Sequence, residues 1–447
     1  GSDNISSNLW RETWSSLGSG SNHTPINGEL GSFYRPDGLL ANSKLKWETT
    51  ISRNFGIDFG FLNNRVNGSL EVYWNTTKDL LMAVPVDNTT GYSYQFQNFG
   101  KTSNRGIELS VNVDVINKGD FRFNVGAIYN YNRNKLDELP NADQYLYSSY
   151  WGSSSLVPTN DYMFVEGKAI GLVRGFISEG YYTVDDFNYT NGQYVLKEGV
   201  PDITKALTAT YMHPYDLPAG QTAFPGAAKF RDVDESGTVD LDDATCLGEV
   251  MPRHTGSFQL NFNYKNFDLS TNFNWTAGGK VYNVAAMINA SGQEFDGIGA
   301  QRASWVADAF KVYNVNAAGD LYAVTNPDEL RALNANAKYH LPYHQSGITS
   351  SEWLENGSYL RLQTLTLGYT LPKNWLTKVH VDKIRLYLTA TNLFTITGYS
   401  GIDPEVNANP TGQSGFYSDL RIFPTLNMDF GTYPRARTFT FGANITF

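Results

Sequence analysis

Ile107-Glu-Leu-Ser-Val-Asn-Val-Asp-Val115 alternates without a fault: apolar at every odd position, polar at every even one. A turn follows at Asn117-Lys-Gly-Asp120, and Phe121, Phe123, Val125, Ala127, Tyr129 and Tyr131 resume the alternation. A period of two residues is the mark of a β-strand with chemically distinct faces, and the pair reads as an antiparallel hairpin. The same pattern runs outward in both directions. Phe55-Gly-Ile-Asp-Phe-Gly-Phe61 turns at Leu62-Asn-Asn-Arg65 into Val66, Leu70, Val72 and Trp74. Phe258, Leu260, Phe262 and Tyr264 turn at Lys265-Asn266 into Phe267, Leu269, Phe273 and Trp275. Leu365, Leu367, Tyr369 and Leu371 are expected to pair with Ile384, Leu386, Leu388 and Ala390, and the chain closes on Phe439-Thr-Phe-Gly-Ala-Asn-Ile-Thr-Phe447.

This makes nine strands, several of them about 9–11 residues long, the length that crosses an outer membrane when tilted. Very short turns (62–65, 117–120, 265–266) alternate with long excursions, expected at about 77–104, 132–160, 185–254 and 277–356. Short turns at one rim and long loops at the other are the layout of an outer-membrane barrel, whereas soluble sandwiches turn every 8–12 residues. Alternation alone would also suit a half-buried soluble sheet. The polar face decides between them: Ser110, Asn112, Asn124, Gln259, Asn261 and Asn272 are uncharged, as a wet lumen requires. Tyr73, Trp74, Tyr129, Tyr131, Tyr264, Trp275 and Tyr369 cluster at strand ends, where interfacial girdles would sit. The fold class expected is all-β, a transmembrane antiparallel barrel. One helix is expected in the last long loop: Thr325-Asn-Pro-Asp-Glu-Leu-Arg-Ala-Leu333 has an Asn cap, an early Pro and acids in its first turn.

Composition agrees. Only 17% of the 447 residues are charged, where a soluble domain carries about a quarter. The formal charge of −10 leaves no basic stripe for nucleic acid. The lone Cys246 permits neither an internal disulfide nor a thiolate zinc site. No apolar run exceeds Leu80-Leu-Met-Ala-Val-Pro-Val86, which excludes a membrane helix.

The most specific local motif is Asp232-Val-Asp-Glu-Ser-Gly-Thr-Val-Asp-Leu-Asp-Asp243. Its spacing is that of a calcium loop: Asp232, Asp234 and Ser236 at positions 1, 3 and 5, Gly237 at the turn, the Thr238 carbonyl at 7, Asp240 at 9 and Asp243 at 12. Wrapping six oxygens around one point suits a hard cation, and the expected role is structural Ca2+; a solvated acidic turn is the alternative. Tyr145, Tyr147, Tyr150 and Trp151 crowd into one loop and are candidates for contact with sugar rings or peptide side chains; the alternative is a loop packed on itself. No hydrolase, zinc-protease, P-loop or dinucleotide motif occurs, and His340 and His344 are separated by Pro342, so no enzyme is expected.

Several segments resemble the SusC-like family of TonB-dependent transporters of Bacteroidetes outer membranes. They are Ser358-Tyr-Leu-Arg-Leu-Gln-Thr-Leu-Thr-Leu-Gly-Tyr-Thr-Leu-Pro372, Leu386-Tyr-Leu-Thr-Ala-Thr-Asn-Leu-Phe394 with Gly401-Ile-Asp-Pro-Glu405, and Tyr433-Pro-Arg-Ala-Arg437 with the last strand. Asn98-Phe-Gly-Lys-Thr-Ser-Asn-Arg-Gly-Ile-Glu108, Val165-Glu-Gly-Lys-Ala-Ile-Gly171 and the acidic loop are similar too. The resemblance implies a 22-stranded plugged barrel, of which nine strands would be the C-terminal portion. It implies import of oligosaccharides or peptides under a SusD-like lipoprotein lid, with energy from the TonB complex acting through a plug. Signal peptide, plug and TonB box have no counterpart here, so the chain, opening Gly1-Ser-Asp-Asn-Ile, reads as a piece of a longer protein. Phe439, Phe441, Ile445 and Phe447 resemble a barrel-assembly signal. Other readings stay open at this point: a small complete porin, or a secreted calcium-stabilised glycan-binding β protein.

Overall fold

The computed structural model describes residues 39–447 apart from 93, 99, 140–143, 149–155, 209–212, 292–302, 342–346, 377–380 and 407–425; before residue 39 it describes only short strand pieces between Trp14 and Pro36. The nine expected strands are present: β1 Asn54–Phe61, β2 Val66–Lys78, β3 Lys101–Lys118, β4 Phe121–Glu138, β5 His254–Tyr264, β6 Phe267–Ala277, β7 Tyr359–Thr370, β8 Lys383–Thr397 and β9 Thr438–Thr446. They form one antiparallel sheet in sequence order, with each strand beside its predecessor. The short strand Thr49–Ile51 prolongs β1 along β2.

Pairing puts like beside like on each face. On one face Val113, Val111 and Leu109 of β3 stand opposite Val66, Gly68 and Leu70 of β2 and opposite Val125, Ala127 and Tyr129 of β4. The rows continue through Leu260, Phe262 and Leu269 to Leu367, Leu388 and Phe441. Leu365, Leu367 and Tyr369 meet Ala390, Leu388 and Leu386, the partners expected from sequence. This apolar face is uncovered: Phe55, Phe439 and Phe441 are 61%, 64% and 74% exposed. In water such an area would draw a second sheet or a partner. Among the described residues nothing covers it, which is the condition of a lipid-facing wall.

The side chains of the other face bond to one another across the strands. Asn124 donates to Asn112 and Asp114 at 3.0 Å each, Ser270 donates to Asn261 at 2.6 Å, and Thr366 and Thr389 share a bond of 2.9 Å. Near the short-turn rim, Arg385 grips Asp268 by two hydrogen bonds, reaching over β7 at Gly368. A Cβ there would lie 2.4 Å from the Asp268 carboxylate, so only glycine lets the pair form.

The long connections depart from the sequence reading. β2 and β3 reach Lys78 and Lys101, so the first excursion is 79–100 rather than 77–104. β4 runs to Glu138, and among the described residues no strand of the main sheet interrupts 139–253, which is one excursion rather than the two expected at 132–160 and 185–254. The next spans 278–358, close to the expected 277–356, and another, 398–437, was not foreseen. The single expected helix is one of five among the described residues: α1 Lys205–Thr208, α2 Val284–Ser291, α3 Ala303–Asp308, α4 Pro327–Leu333 and α5 Lys373–Leu376. α4 is the foreseen one, capped by Asn326, whose side chain accepts from Asp328 N and Glu329 N. None of the described helices is long and apolar enough to cross a membrane.

The buried core lies in these excursions rather than between sheets. One cluster joins Phe176, Tyr182, Tyr194 and Phe224 to Phe310 and Leu330, which ties 139–253 to 278–358. A second packs Tyr162, Tyr282, Met287 and Trp353 against Leu136 at the end of β4 and Met428. Each fully buried side chain of this size contributes about 1.5–3 kcal/mol. The excursions therefore fold as a packed cap on the long-loop rim of the wall.

Candidate functional site

The acidic loop leaves the strand Ala228–Phe230 and ends in a one-turn 3-10 helix, Leu241–Asp243. Glu235 and Gly237 take positive φ values of 59° and 86°, which curls the chain back on itself. The carboxylates of Asp232, Asp234 and Asp243 turn inward and come within 4.8 Å of one another. Asp243 is fully buried and accepts from Val233 N at 2.5 Å and Asp240 N at 2.8 Å. Asp232 accepts from Gly237 N at 2.7 Å. Hydrogen bonds from Ser236 hold the Asp234 carboxyl below the usual carboxylate range. The Thr238 carbonyl accepts from Ser236 Oγ at 3.0 Å, so those two oxygens adjoin. Asp240 does not join the three carboxylates; it caps the 3-10 turn through Asp242 N. Three inward carboxylates beside a hydroxyl and a carbonyl make an all-oxygen donor set that fits a hard cation. Thr238–Val239 pairs with Asp202–Ile203, and Val239 and Ile203 sit in the first core cluster. The loop is thus sewn into the cap.

The aromatic stretch is divided. Tyr147 is 4% exposed and stacks on Phe164 at 4.7 Å. It is a core residue of the cap, and the expectation of ligand contact is corrected there: its strand, Gln144–Tyr147, pairs inward on Tyr162–Val165. Tyr145 is half-buried beside the same cluster, and Tyr150 and Trp151 lie outside the described residues. Of the girdle residues, Tyr264 and Tyr369 line the short-turn rim, Tyr369 against Phe267, and Trp275 and Tyr129 stack at the far one. Tyr73 is the exception. It lies on the polar face, its hydroxyl donating to Asn132 at 3.0 Å and its ring covering Gly106. Phe439, Phe441, Ile445 and Phe447 all stand exposed at the last strand. His340 is buried and its Nδ1 meets Leu341 O, while His344 lies outside the described residues.

Sequence reasoning missed Arg361. It is buried on the polar face of β7, paired with Asp403 at 2.5 Å and Glu405 at 2.9 Å, and bonded to Thr395 at 3.0 Å. Arg435 closes the group on Glu405 at 2.6 Å. The cluster fastens excursion 398–437 to the wall. A cation near the start of an otherwise uncharged strand was the available signal.

An uncovered apolar face, a polar amide-lined face and a folded cap at one rim define the wall of a transmembrane β-barrel with an extracellular cap. The family model described as "TonB dependent receptor-like, beta-barrel" matches residues 13–393. TonB-dependent receptor P3 of Formosa agariphila is 30% identical over 91% of this chain and 35% of its own length. TonB-dependent receptor SusC of Bacteroides thetaiotaomicron is 27% identical over 91% of this chain and 32% of its own. The chain belongs to the TonB-dependent receptor β-barrel family, in its SusC-like branch. It spans about a third of the length of these relatives. The solved RagAB peptide transporter shares the fold, with a TM-score of 0.63 at 20% identity over 98% of this chain and 39% of that one. The RagAB peptide importer in its open-open state gives 0.65 at 21% over 99% and 38%. The family is one of transporters and receptors rather than enzymes, and its members are outer-membrane β-barrels.

Proposed function

We propose that this chain supplies barrel wall and extracellular cap to an outer-membrane transporter that imports an oligosaccharide or a peptide. The observation that carries this is the two-faced sheet: uncovered apolar side chains on one side, hydrogen-bonded amides and hydroxyls on the other. Import is TonB-dependent, through a plug domain beyond this sequence, and a SusD-like lipoprotein closes over the cap. Peptide cargo draws support from the named activity of the RagAB neighbours. The test is uptake of labelled peptides and labelled oligosaccharides by cells carrying the full-length protein with its lipoprotein. Uptake of one class that stops when the proton-motive force is collapsed is expected. Flux that persists without that force would favour a passive porin, and recovery of the protein as a soluble monomer without detergent would favour a secreted glycan binder.

The acidic loop is proposed to hold structural Ca2+ through Asp232, Asp234 and Asp243, with Ser236 and the Thr238 carbonyl beside them. The bound charge would offset three mutually repelling carboxylates and stiffen a cap segment already sewn to the core. Calorimetric titration of the chelated full-length protein with Ca2+ tests it. Absence of a saturable heat, with unchanged melting in chelator, would overturn it.

A further inference from the structure

One rung of the wall carries an unusual set of side chains. Arg105 of β3 stands directly opposite Arg133 of β4 on one side and Trp74 of β2 on the other. Trp74 N donates to Arg53 O at 2.9 Å, and Asn54 pairs with Tyr73, so Arg53 extends the rung on the β1 line. All four alternate in phase with the apolar face: Arg53 with Phe55, Trp74 with Val72, Arg105 with Ile107 and Arg133 with Tyr131. All four are exposed. Like charges directly opposite on adjacent strands repel, and none of the ion pairs among the described residues involves these arginines. The rung below is Phe55, Val72, Ile107 and Tyr131, and the rung above is Ile51, Thr76, Ser103 and Lys135. Neither holds a carboxylate.

Depth explains what this rung meets. Phe121, beside Tyr264, marks the short-turn girdle, and Tyr131, beside His254, marks the far one. The ten residue steps from one to the other span about 34 Å of strand, which at a tilt of 35–45° is about 24–28 Å of height. That is the height of the apolar band of an outer-membrane barrel, about 25 Å. Arg133 and its neighbours lie two residues further, about 5 Å higher, at the level of the outer leaflet's headgroups. Adjacent strands are about 4.8 Å apart, so the three guanidinium groups are spread over about 14 Å.

We infer that Arg53, Arg105 and Arg133, with Trp74 among them, form a binding site for the phosphate groups of an outer-leaflet glycolipid. A guanidinium offers two parallel donors to a phosphate and keeps its charge at any physiological pH. A neighbouring indole suits the boundary between acyl chain and headgroup. The lipid phosphate supplies the counter-charge that the rung lacks in the protein, and the site fixes the height and tilt of the wall in the bilayer. The inference rests on the outer-membrane placement proposed above.

The test uses the full-length transporter in nanodiscs of phosphatidylethanolamine containing a minor fraction of monophosphoryl lipid A. Native mass spectrometry counts the lipid A retained. The R53Q/R105Q/R133Q variant is expected to lose retention by about tenfold or more while keeping its phosphatidylethanolamine. Heat-modifiable mobility on gels reports folding, and R133Q alone, expected to show a smaller loss, serves if the triple variant does not assemble. Equal retention by wild type and a folded variant would overturn the inference. So would displacement of lipid A by millimolar inorganic phosphate, which would assign the arginines to a soluble anion. Equal retention with the protein still in the outer-membrane fraction removes this inference alone, whereas recovery in the soluble fraction removes the placement.

Discussion

Glu352 lies in the cap with its carboxylate 3.9 Å from His340 Nε2, and its side chain is 24% exposed. Burial pushes its carboxyl up from 4.5 to about 7, and burial pulls His340 down from 6.5 to about 4. The signs follow from which state holds the proton. Between pH 4.5 and 7 the unfolded chain releases the Glu352 proton while the folded chain keeps it, so stability falls as pH rises. Between pH 6.5 and 4 the unfolded chain protonates His340 while the folded chain does not, so stability falls as pH falls. Replacing the carboxyl by an amide removes the first effect only. Glu352→Gln is therefore expected to match wild type near pH 4 and to exceed it above pH 7 by up to about 3 kcal/mol. Melting of the full-length protein from pH 4 to 8 checks this, and an equal difference at every pH would sink it. Asp243 offers a second local test. Its carboxylate serves Val233 N, Asp234 N and Asp240 N, so Asp243→Ala leaves donors unpaired at about 1–3 kcal/mol each where water cannot reach. Faster proteolysis within 232–249 of the full-length protein is expected, with the β-wall left protected.

The strands of the wall were legible because their information is local and periodic. Two residues fix the repeat, and the register follows from keeping apolar beside apolar. Bulges break that rule between β3 and β4, between β6 and β7 and between β7 and β8. Between β6 and β7, Asn272 pairs with Thr364 and Phe273 with Leu362, which leaves Gln363 as the extra residue. Its side chain faces the polar side and accepts from Asn274 at 2.6 Å. Removing Gln363 would leave Thr364, Leu362 and Arg361 in one-to-one register with Asn272, Phe273 and Asn274, so Arg361 keeps the phase of the polar face. Deletion of Gln363 is therefore expected to leave the full-length protein able to assemble, read as retained heat-modifiable mobility, and loss of that mobility would show that the bulge itself is required. Arg361→Met should be more damaging, because it leaves the buried Asp403 without its cation, at a cost of about 3–5 kcal/mol, while Glu405 keeps Arg435. Neither bulge nor ion cluster was readable beforehand, since Arg361 finds its partners more than 40 residues away. The acidic loop was readable because its carboxylates sit within twelve residues of one another. The cap was not. Its core joins Tyr182 and Tyr194 to Phe310 and Leu330 across long separations, with no repeat to betray a face, and Tyr147 therefore resembled a ligand platform.

A wall of this kind is stable in lipid only when it closes. Among the described residues β9 pairs with β8 alone, and β1 with β2 alone. Each free edge presents a row of backbone N–H and C=O groups, and in hydrocarbon every unsatisfied group costs several kcal/mol. The side chains along these edges do nothing to shield them: Phe439 and Phe441 invite lipid rather than water. The sheet can be completed by further strands of its own protein, whose relatives are about three times as long as this chain. Curling β1 onto β9 would demand a barrel of nine strands whose two closing strands run parallel, against the even, antiparallel count of bacterial outer-membrane barrels. Residues 1–447 refolded alone in detergent and offered to a planar bilayer are accordingly expected to give no stable conductance step. The full-length protein stripped of its plug by mutation should conduct. A steady single-channel current from residues 1–447 would mean that the nine strands close by themselves, and would return the small porin as the better account of the wall.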